Sequence, residues 1–348
     1  MNTIDHKTPL NRLLAGKDLS PDEMEAFIGA VMDGGVEDAV IAAMLVALRA
    51  KTETGPEVAA AARAMRARSL AVEIADPGLA VDTCGTGGDG AETINISTAA
   101  ALLAAAAGAP VAKHGNRSVS SRCGSADVLE AAGVRLDQRP EDMAVLHDEI
   151  GLAFLFAPRL HPAMAAVMPV RRTLGVRTVF NLLGPLTNPA RVERQVVGVW
   201  GRDVQPLMAA ALAELGARHA LVVHSDDGLD EISVSAPTTV IEVRDGEVVG
   251  EWRVDPGDLG IEAADPESLR GGDAAENLRR MCAILGGEER SAAAEAVALN
   301  AAAALVVGGL ADDLRQALER GREVLQSGAA LELLEELAGR SMGIIDDV

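Results

Sequence analysis

Residues 79–90 read LAVDTCGTGGDG, a short apolar run that breaks into four glycines within six residues. An Ala-rich segment follows from about Ser97 to Ala107. A buried strand, a glycine turn and a helix in that order make the first half of a βαβ unit. The pattern then returns. Residues 108–112 (GAPVA) read as a second buried strand, Lys113 to Ser121 as its loop, and Ser125 opens another helix. Further on, RQVVGVWG (194–201), HALVVHS (219–225) and TTVIEVRDGEVVGEWRV (238–254) read as strands, with a helix over PLMAAALAELG (206–216). Strands that alternate with helices predict an α/β fold, a mostly parallel sheet flanked by helices.

The start of the chain has a different texture. Residues 20–70 read as helices throughout. Ser20-Pro21-Asp22-Glu23 has the N-cap, proline and glutamate of a capping box, and Thr54-Gly55-Pro56-Glu57 repeats it. Val40, Met44, Leu45 and Leu48 recur at helical spacing between them. This predicts a small all-α domain over residues 1–75, with the helical stretch at about 158–176 packing back onto it. Residues 76–157 and 177–348 then make the α/β domain. The last hundred residues return to helix, and Asn300–Val307 and Leu331–Leu337 read as helices that cover the sheet.

Composition narrows the function. Of 348 residues, 31 are Lys or Arg and 52 are Asp or Glu, a net charge of −21, and the chain has two Trp, four Phe and no Tyr. Single-strand nucleic-acid readers need basic grooves and aromatic platforms, so that class is disfavoured. Cys84, Cys123 and Cys282 are odd in number and widely spaced, which fits neither a disulfide framework nor a zinc site. The opening MNTIDHKTPL lacks the apolar run of a signal peptide, and no stretch is long and apolar enough to span a bilayer. These features predict a cytoplasmic protein.

Gly85-Thr86-Gly87-Gly88-Asp89-Gly90 sits where glycines let backbone N–H groups curl around an anion beside a helix N-terminus. It also satisfies GxGxxG. A dinucleotide site wants an acid about twenty positions later, however, and that region offers Lys113-His114. Cations there favour phosphate over NAD. Asn95-Ile96-Ser97-Thr98 supplies an amide and two hydroxyls beside the loop, and Lys113-His114-Gly115-Asn116-Arg117 ends the second strand with cations and hydroxyls beyond. Strands of a parallel sheet end on one edge, so both loops face one crevice.

Several blocks resemble, in order and over nearly the whole chain, the anthranilate phosphoribosyltransferase family: GTGGD at 85–89, NIST at 95–98, KHGNR at 113–117, GSADVLE at 124–130, RTVFNLLGPLTNP at 177–189 and DGLDEIS at 227–233. The resemblance implies a nucleoside phosphorylase/phosphoribosyltransferase-type fold and transfer of phosphoribose from phosphoribosyl pyrophosphate (PRPP) to anthranilate in tryptophan biosynthesis. It implies that PRPP is held by Gly85, Gly88, Asp89, Thr93, Asn95, Ile96, Ser97 and Thr98, by the run Lys113, His114, Gly115, Asn116, Arg117, Ser118, Val119, Ser120 and Ser121, and by Ser125. Anthranilate would meet Gly85, His114, Asn116 and Arg171, whose guanidinium fork suits its carboxylate, with Gly184-Pro185 at the entrance. Mg²⁺ would be held by Ser97, Asp230 and Glu231. The resemblance assigns no covalent nucleophile or general base, and leaves Lys113 and the metal ligands to stabilise the transition state. It also implies a homodimer formed through the helical domain.

Two other classes compete with this reading. Pyrimidine nucleoside phosphorylases share the fold but resemble KHSTGG in the phosphate loop and do not require the Asp-Glu pair. A nucleic-acid-binding relative would need a basic groove that a charge of −21 opposes. An NAD-dependent dehydrogenase is the more distant alternative.

Overall fold

The structure, a computed structural model, describes residues 6–118 and 122–343. Four helices come first: α1 (Lys7–Leu14), α2 (Pro21–Met32), α3 (Asp38–Lys51) and α4 (Gly55–Arg66). At the N-terminus of α2 the capping box closes as the sequence predicts, with Glu23 N–H donating to Ser20 Oγ at 3.2 Å and Ser20 N–H to Glu23 Oε2 at 2.8 Å. At α4 the glutamate does more than cap. Fully buried, Glu57 accepts from Thr54 N–H at 2.9 Å, from Lys51 Nζ at 2.9 Å and from Leu19 N–H at 2.8 Å, tying three helices to one carboxylate.

The sheet has seven strands: β1 (Val81–Gly85), β2 (Val111–Gly115), β3 (Leu152–Phe156), β4 (Arg194–Gly198), β5 (His219–Ser225), β6 (Thr238–Arg244) and β7 (Glu247–Val254). Their order is β3-β2-β1-β4-β5-β6-β7, parallel through β5 and antiparallel at β6 and β7. The helices of this part are α5 (Ile96–Ala106), α6 (Ser125–Ala131), α7 (Pro140–Ile150), α8 (Ala157–Leu160), α9 (Met168–Leu174), α10 (Gln205–Glu214), α11 (Ala274–Leu285), α12 (Ala292–Gly308), α13 (Leu314–Ser327) and α14 (Ala329–Gly343). The chain leaves β1 toward β2 and β3 and returns through β4 to the other side. The crevice outside the carboxyl ends of β1 and β4 is therefore the switch point of the sheet, where α/β folds bind ligands.

Three local expectations change. Strand β3 is absent from the sequence-based expectations, because LAFLF is a five-residue apolar run that periodicity cannot distinguish from helix. Strand β2 runs through Gly115, so Lys113 and His114 are buried strand residues and not loop residues. They pair in register with Phe154 and Leu155 of β3. Of the two carboxy-terminal segments, α12 covers β1, β4 and β5. Helix α14, which carries Leu331–Leu337, instead packs chiefly on α5, α7, α11 and α13 as an outer layer.

One apolar core fills the face of the sheet under α5 and α12. A second joins α1–α4 to the opposite face through α10, with Met44, Leu48, Val58, Met208, Leu212 and Val222 all part of one buried cluster. Helices α4 and α10 meet so closely that a Cβ on Gly55 would stand 2.6 Å from Cβ of Ala210. Helix α9 packs on α3, and the turn Pro162–Ala166 packs on α2. Arg66 of α4 donates through Nε to the carbonyl of Leu186 at 2.7 Å, which fixes the bundle to the segment containing Gly184 and Pro185. Among the described residues no helix is long and apolar enough to cross a membrane.

Candidate active site

Gly85 and Gly198 end β1 and β4 and face each other in register. A Cβ on Gly198 would lie 1.6 Å from the carbonyl oxygen of Asp230, and one on Gly85 would lie 3.2 Å from Asp230 Oδ2. Two adjacent strand ends without side chains thus let the turn after β5 settle into the switch point and bring Asp230 and Glu231 to its floor.

The glycine loop crosses above them. Gly87, Gly88 and Gly90 adopt φ of +63°, +81° and +77°, a region closed to most side chains. The loop is held by Thr86 N–H to Gly198 O at 2.9 Å, by the backbone N–H of Trp200 to the Thr86 hydroxyl at 3.2 Å and by Arg177 Nη2 to Gly88 O at 2.6 Å. Asp89 Oδ1 accepts from Ala91 N–H at 3.1 Å, and its other oxygen lies 3.4 Å from Asp230 N. Asp89 thus shapes the loop and adds a negative charge to the floor.

The floor is short of positive charge. Removal of water pushes the Asp230 carboxyl well up from its usual range, and the neighbouring Asp89 and Glu231 push it further against the N–H of Gly87. Burial likewise raises Glu231, to about 7, although Lys113 and the hydroxyl and N–H of Ser97 oppose the shift. Lys113 reaches under β1, donating to the carbonyl of Thr83 and lying 3.4 Å from Ser97 Oγ. Ser97, Glu231 and Lys113 therefore converge. Among the described residues no three acid, histidine or cysteine side chains form a closed metal cage. Two hard carboxylates that repel each other, beside a hydroxyl, match the donors of Mg²⁺, which usually takes one or two protein carboxylates and completes its shell with waters and substrate phosphates.

The remaining NIST residues are more enclosed. Asn95 Nδ2 donates to the carbonyl of Cys123 at 3.1 Å, while its Oδ1 accepts from Asn277 Nδ2 at 2.9 Å. Ile96 and Thr98 are 2% exposed, and the Thr98 hydroxyl has no partner among the described residues. Thr93 bridges to Arg270 in antiparallel fashion.

The second strand end is built around Gly115, where a Cβ would stand 2.5 Å from both Ser125 Oγ and Phe154 Cε2. Ser125 Oγ donates to the carbonyl of Asn116 at 3.1 Å, and Asn116 Oδ1 accepts from Arg117 N–H at 2.7 Å. Arg117 is already engaged by Asp127 at 3.0 Å and Glu130 at 2.7 Å. Its charge is compensated within α6. Ser118 N–H donates to Asp127 at 3.2 Å, and Val119, Ser120 and Ser121 lie outside the described residues.

On the side that the resemblance assigns to anthranilate, His114 Nδ1 meets the carbonyl of Gly184 at 3.1 Å, so the KHGN and GPL segments are brought together. The His114 ring is buried against His161, with centroids 5.1 Å apart. Loss of water holds His114 down at about 3 and His161 at about 4, so both are neutral. Below them the buried carboxylate of Asp82 accepts from His114 N–H at 3.1 Å and Asn188 Nδ2 at 2.9 Å. Arg171, on α9, lies 5.7 Å over the ring of Phe180 and has no carboxylate partner among the described residues. Burial lowers its pKa, a cost that an arriving anion would relieve.

Sequence reasoning did not single out Asp82, Asn188, Gly198, Trp200, Arg177 or Asn277. An acid inside the apolar strand VDTC was the one available signal, since a buried charge demands partners.

Residues 7–69 match the helical bundle domain of the glycosyl transferase family, and residues 78–331 match its a/b domain. Anthranilate phosphoribosyltransferase from Laribacter hongkongensis (strain HLHK9) is 49% identical over 96% of this chain and 97% of its own. The chain belongs to the anthranilate phosphoribosyltransferase family. The Roseiflexus castenholzii anthranilate phosphoribosyltransferase is 50% identical over 94% of this chain and 95% of its own. The crystal structure of anthranilate phosphoribosyltransferase from Thermus thermophilus superposes with a TM-score of 0.92 at 43% identity, over 97% of this chain and all of that one. The Saccharomyces cerevisiae anthranilate phosphoribosyltransferase in complex with PRPP and Mg shares the fold, with a TM-score of 0.90 at 24% identity over 99% of this chain and 100% of that one.

Proposed function

We propose that the crevice at the ends of β1 and β4 is where this chain carries out its reaction. The chain transfers the phosphoribosyl group from PRPP to anthranilate, giving N-(5-phosphoribosyl)anthranilate and pyrophosphate in tryptophan biosynthesis. The observation that carries the assignment to this crevice is the convergence of the glycine loop, the KHGN strand end and the Asp230–Glu231 turn on one switch point.

The amine of anthranilate attacks the anomeric carbon of the ribose as the bond to pyrophosphate breaks, through a transition state of oxocarbenium character. The chain's contribution is positioning and electrostatics. The backbone N–H groups of Gly88 and Asp89, with Ser97, face the pyrophosphate, since those of Thr86 and Gly87 are spent on Gly198 and Asp230, and buried Lys113 adds its positive charge from beneath β1. Asn116 and Ser125 shape the ribose side. Arg117 acts mainly by holding the loop to α6, because Asp127 and Glu130 already occupy it. Asp230, Glu231 and Ser97 would hold Mg²⁺, which when bound neutralises phosphate charge. Arg171 pairs with the anthranilate carboxylate, and neutral His114, fixed by Gly184, packs beside the ring. Among the described residues no side chain is poised as a base for the weakly basic aniline nitrogen.

The helical unit in this reading comprises residues 1–75 with 158–176, and residues 76–157 and 177–348 form the substrate-binding unit. Leu14 and Val46 are 70% and 46% exposed on α1 and α3, a surface fitted to a homodimer of a cytoplasmic enzyme. The direct test is product identity: PRPP and anthranilate should yield the phosphoribosyl anthranilate mass with one pyrophosphate released per anthranilate consumed. Pyrophosphate release without that product would overturn the acceptor assignment.

A further inference from the structure

The glycine loop has little of its own to fix its shape, since three of its residues have no side chain and sit at positive φ. Arg177, 89 residues away in sequence, donates through Nη2 to the Gly88 carbonyl at 2.6 Å. Its guanidinium lies over the indole of Trp200 at 4.5 Å from the centroid, and the backbone N–H of the same residue donates to Thr86 Oγ1 at 3.2 Å. The guanidinium, its indole platform and the main chain of Trp200 thus close a ring of contacts that grips the loop at Thr86 and Gly88. Arg177 makes no ion pair among the described residues, so its donors are not diverted to a carboxylate. A Cβ on Gly88 would stand 3.1 Å from Arg177 Nη2, so the contact also depends on glycine there.

We propose that Arg177 is a positioning residue for the donor substrate, clasping the glycine loop through the Gly88 carbonyl with Trp200 as its platform. The inference rests on the reading that this crevice takes PRPP. The geometry explains the effect. In a planar trans peptide the C=O and N–H point in opposite directions, so a carbonyl drawn to Arg177 turns the N–H of Asp89 to the far side. A cation on that carbonyl also polarises the peptide and makes the N–H a better donor to an anion. The stacked guanidinium further joins the loop to the segment that follows α9, which carries Arg171.

Steady-state kinetics of Arg177→Ala, Arg177→Lys, Trp200→Leu and the double Ala/Leu variant test this. Arg177→Ala should raise the KM for PRPP about tenfold, the scale of one lost charge-assisted hydrogen bond, and leave the anthranilate KM within about twofold. Arg177→Lys keeps a donor and loses the planar stack, so it should fall between wild type and Ala. Trp200→Leu should move the same constant in the same direction, and the double variant should be no worse than Arg177→Ala, because both belong to one clasp. An unchanged PRPP KM in Arg177→Ala, a parallel rise in both KM values, or additive effects in the double variant would each overturn the clasp while wild-type turnover upholds the crevice assignment. Absence of wild-type turnover of PRPP with anthranilate would overturn that assignment and this inference with it.

Discussion

The carbonyl oxygen of Asp230 occupies the space where a side chain on residue 198 would begin, 1.6 Å from a Cβ built on Gly198. The acidic turn can lie on the floor of the switch point only because β4 ends in glycine. Gly198→Ala must displace either the strand end or the turn. Its expected cost is about 2 kcal/mol of stability, the usual scale of overpacking, together with a large loss of kcat. Urea unfolding alongside turnover measurements checks both, and a variant with wild-type values would show that the turn is not seated as described.

Arg171, proposed to face the acceptor, is a partly buried cation with no carboxylate partner among the described residues, in contrast to Arg117, which α6 neutralises. Arg171→Ala should raise the anthranilate KM by about tenfold to a hundredfold, from the loss of a charge-assisted bidentate contact, with far less effect on the PRPP KM. Equal shifts in the two constants, measured by varying each substrate, would remove Arg171 from the acceptor site.

The buried pair His114 and His161 sets an acid limit on stability. Both are held well below the ordinary histidine value of 6.5, at about 3 and about 4. Unfolding exposes them to water, so below pH 6.5 the unfolded chain binds protons that the folded chain does not. The contribution of these two rings is therefore full above 6.5 and falls as pH drops toward 4, by up to about 1.4 kcal/mol per pH unit for each ring, while the raised carboxyls of Asp230 and Glu231 contribute with the opposite sign. Between pH 7 and 4.5 the unfolding free energy of the wild type should fall relative to that of His161→Asn, because the carboxyl contributions are common to both and the difference reads the ring. A slope unchanged in that variant would assign the acid limit to other groups.

The contrast between the glycine loop and its supports shows what was readable in advance. Gly87, Gly88 and Gly90 announce positive φ directly, because few other residues tolerate it, and the Ser20 capping box works through contacts three residues apart. The supports depend on distant partners. Arg177 finds Gly88 across 89 residues and Asn277 finds Asn95 across 182, and nothing in either local sequence names its partner. Lys113 shows the same limit. Its charge reads as the end of β2, yet the Thr83 carbonyl and Ser97 satisfy the ammonium within the fold and the strand continues to Gly115. Strand β3 lacks any flanking glycine loop to mark it, and its place at the edge beside β2 emerges only from pairing.

Anthranilate fluorescence followed after mixing the purified protein with PRPP, with Mg²⁺ and with the metal removed by EDTA, tests the central claim most directly, with thymidine and uridine phosphorolysis run in parallel. The account predicts consumption of anthranilate that requires both PRPP and Mg²⁺, a higher Mg²⁺ requirement in Glu231→Gln, and no nucleoside cleavage. Phosphorolysis of a nucleoside with no consumption of anthranilate would contradict it, leaving the fold in place and assigning the crevice to the phosphorylase reaction.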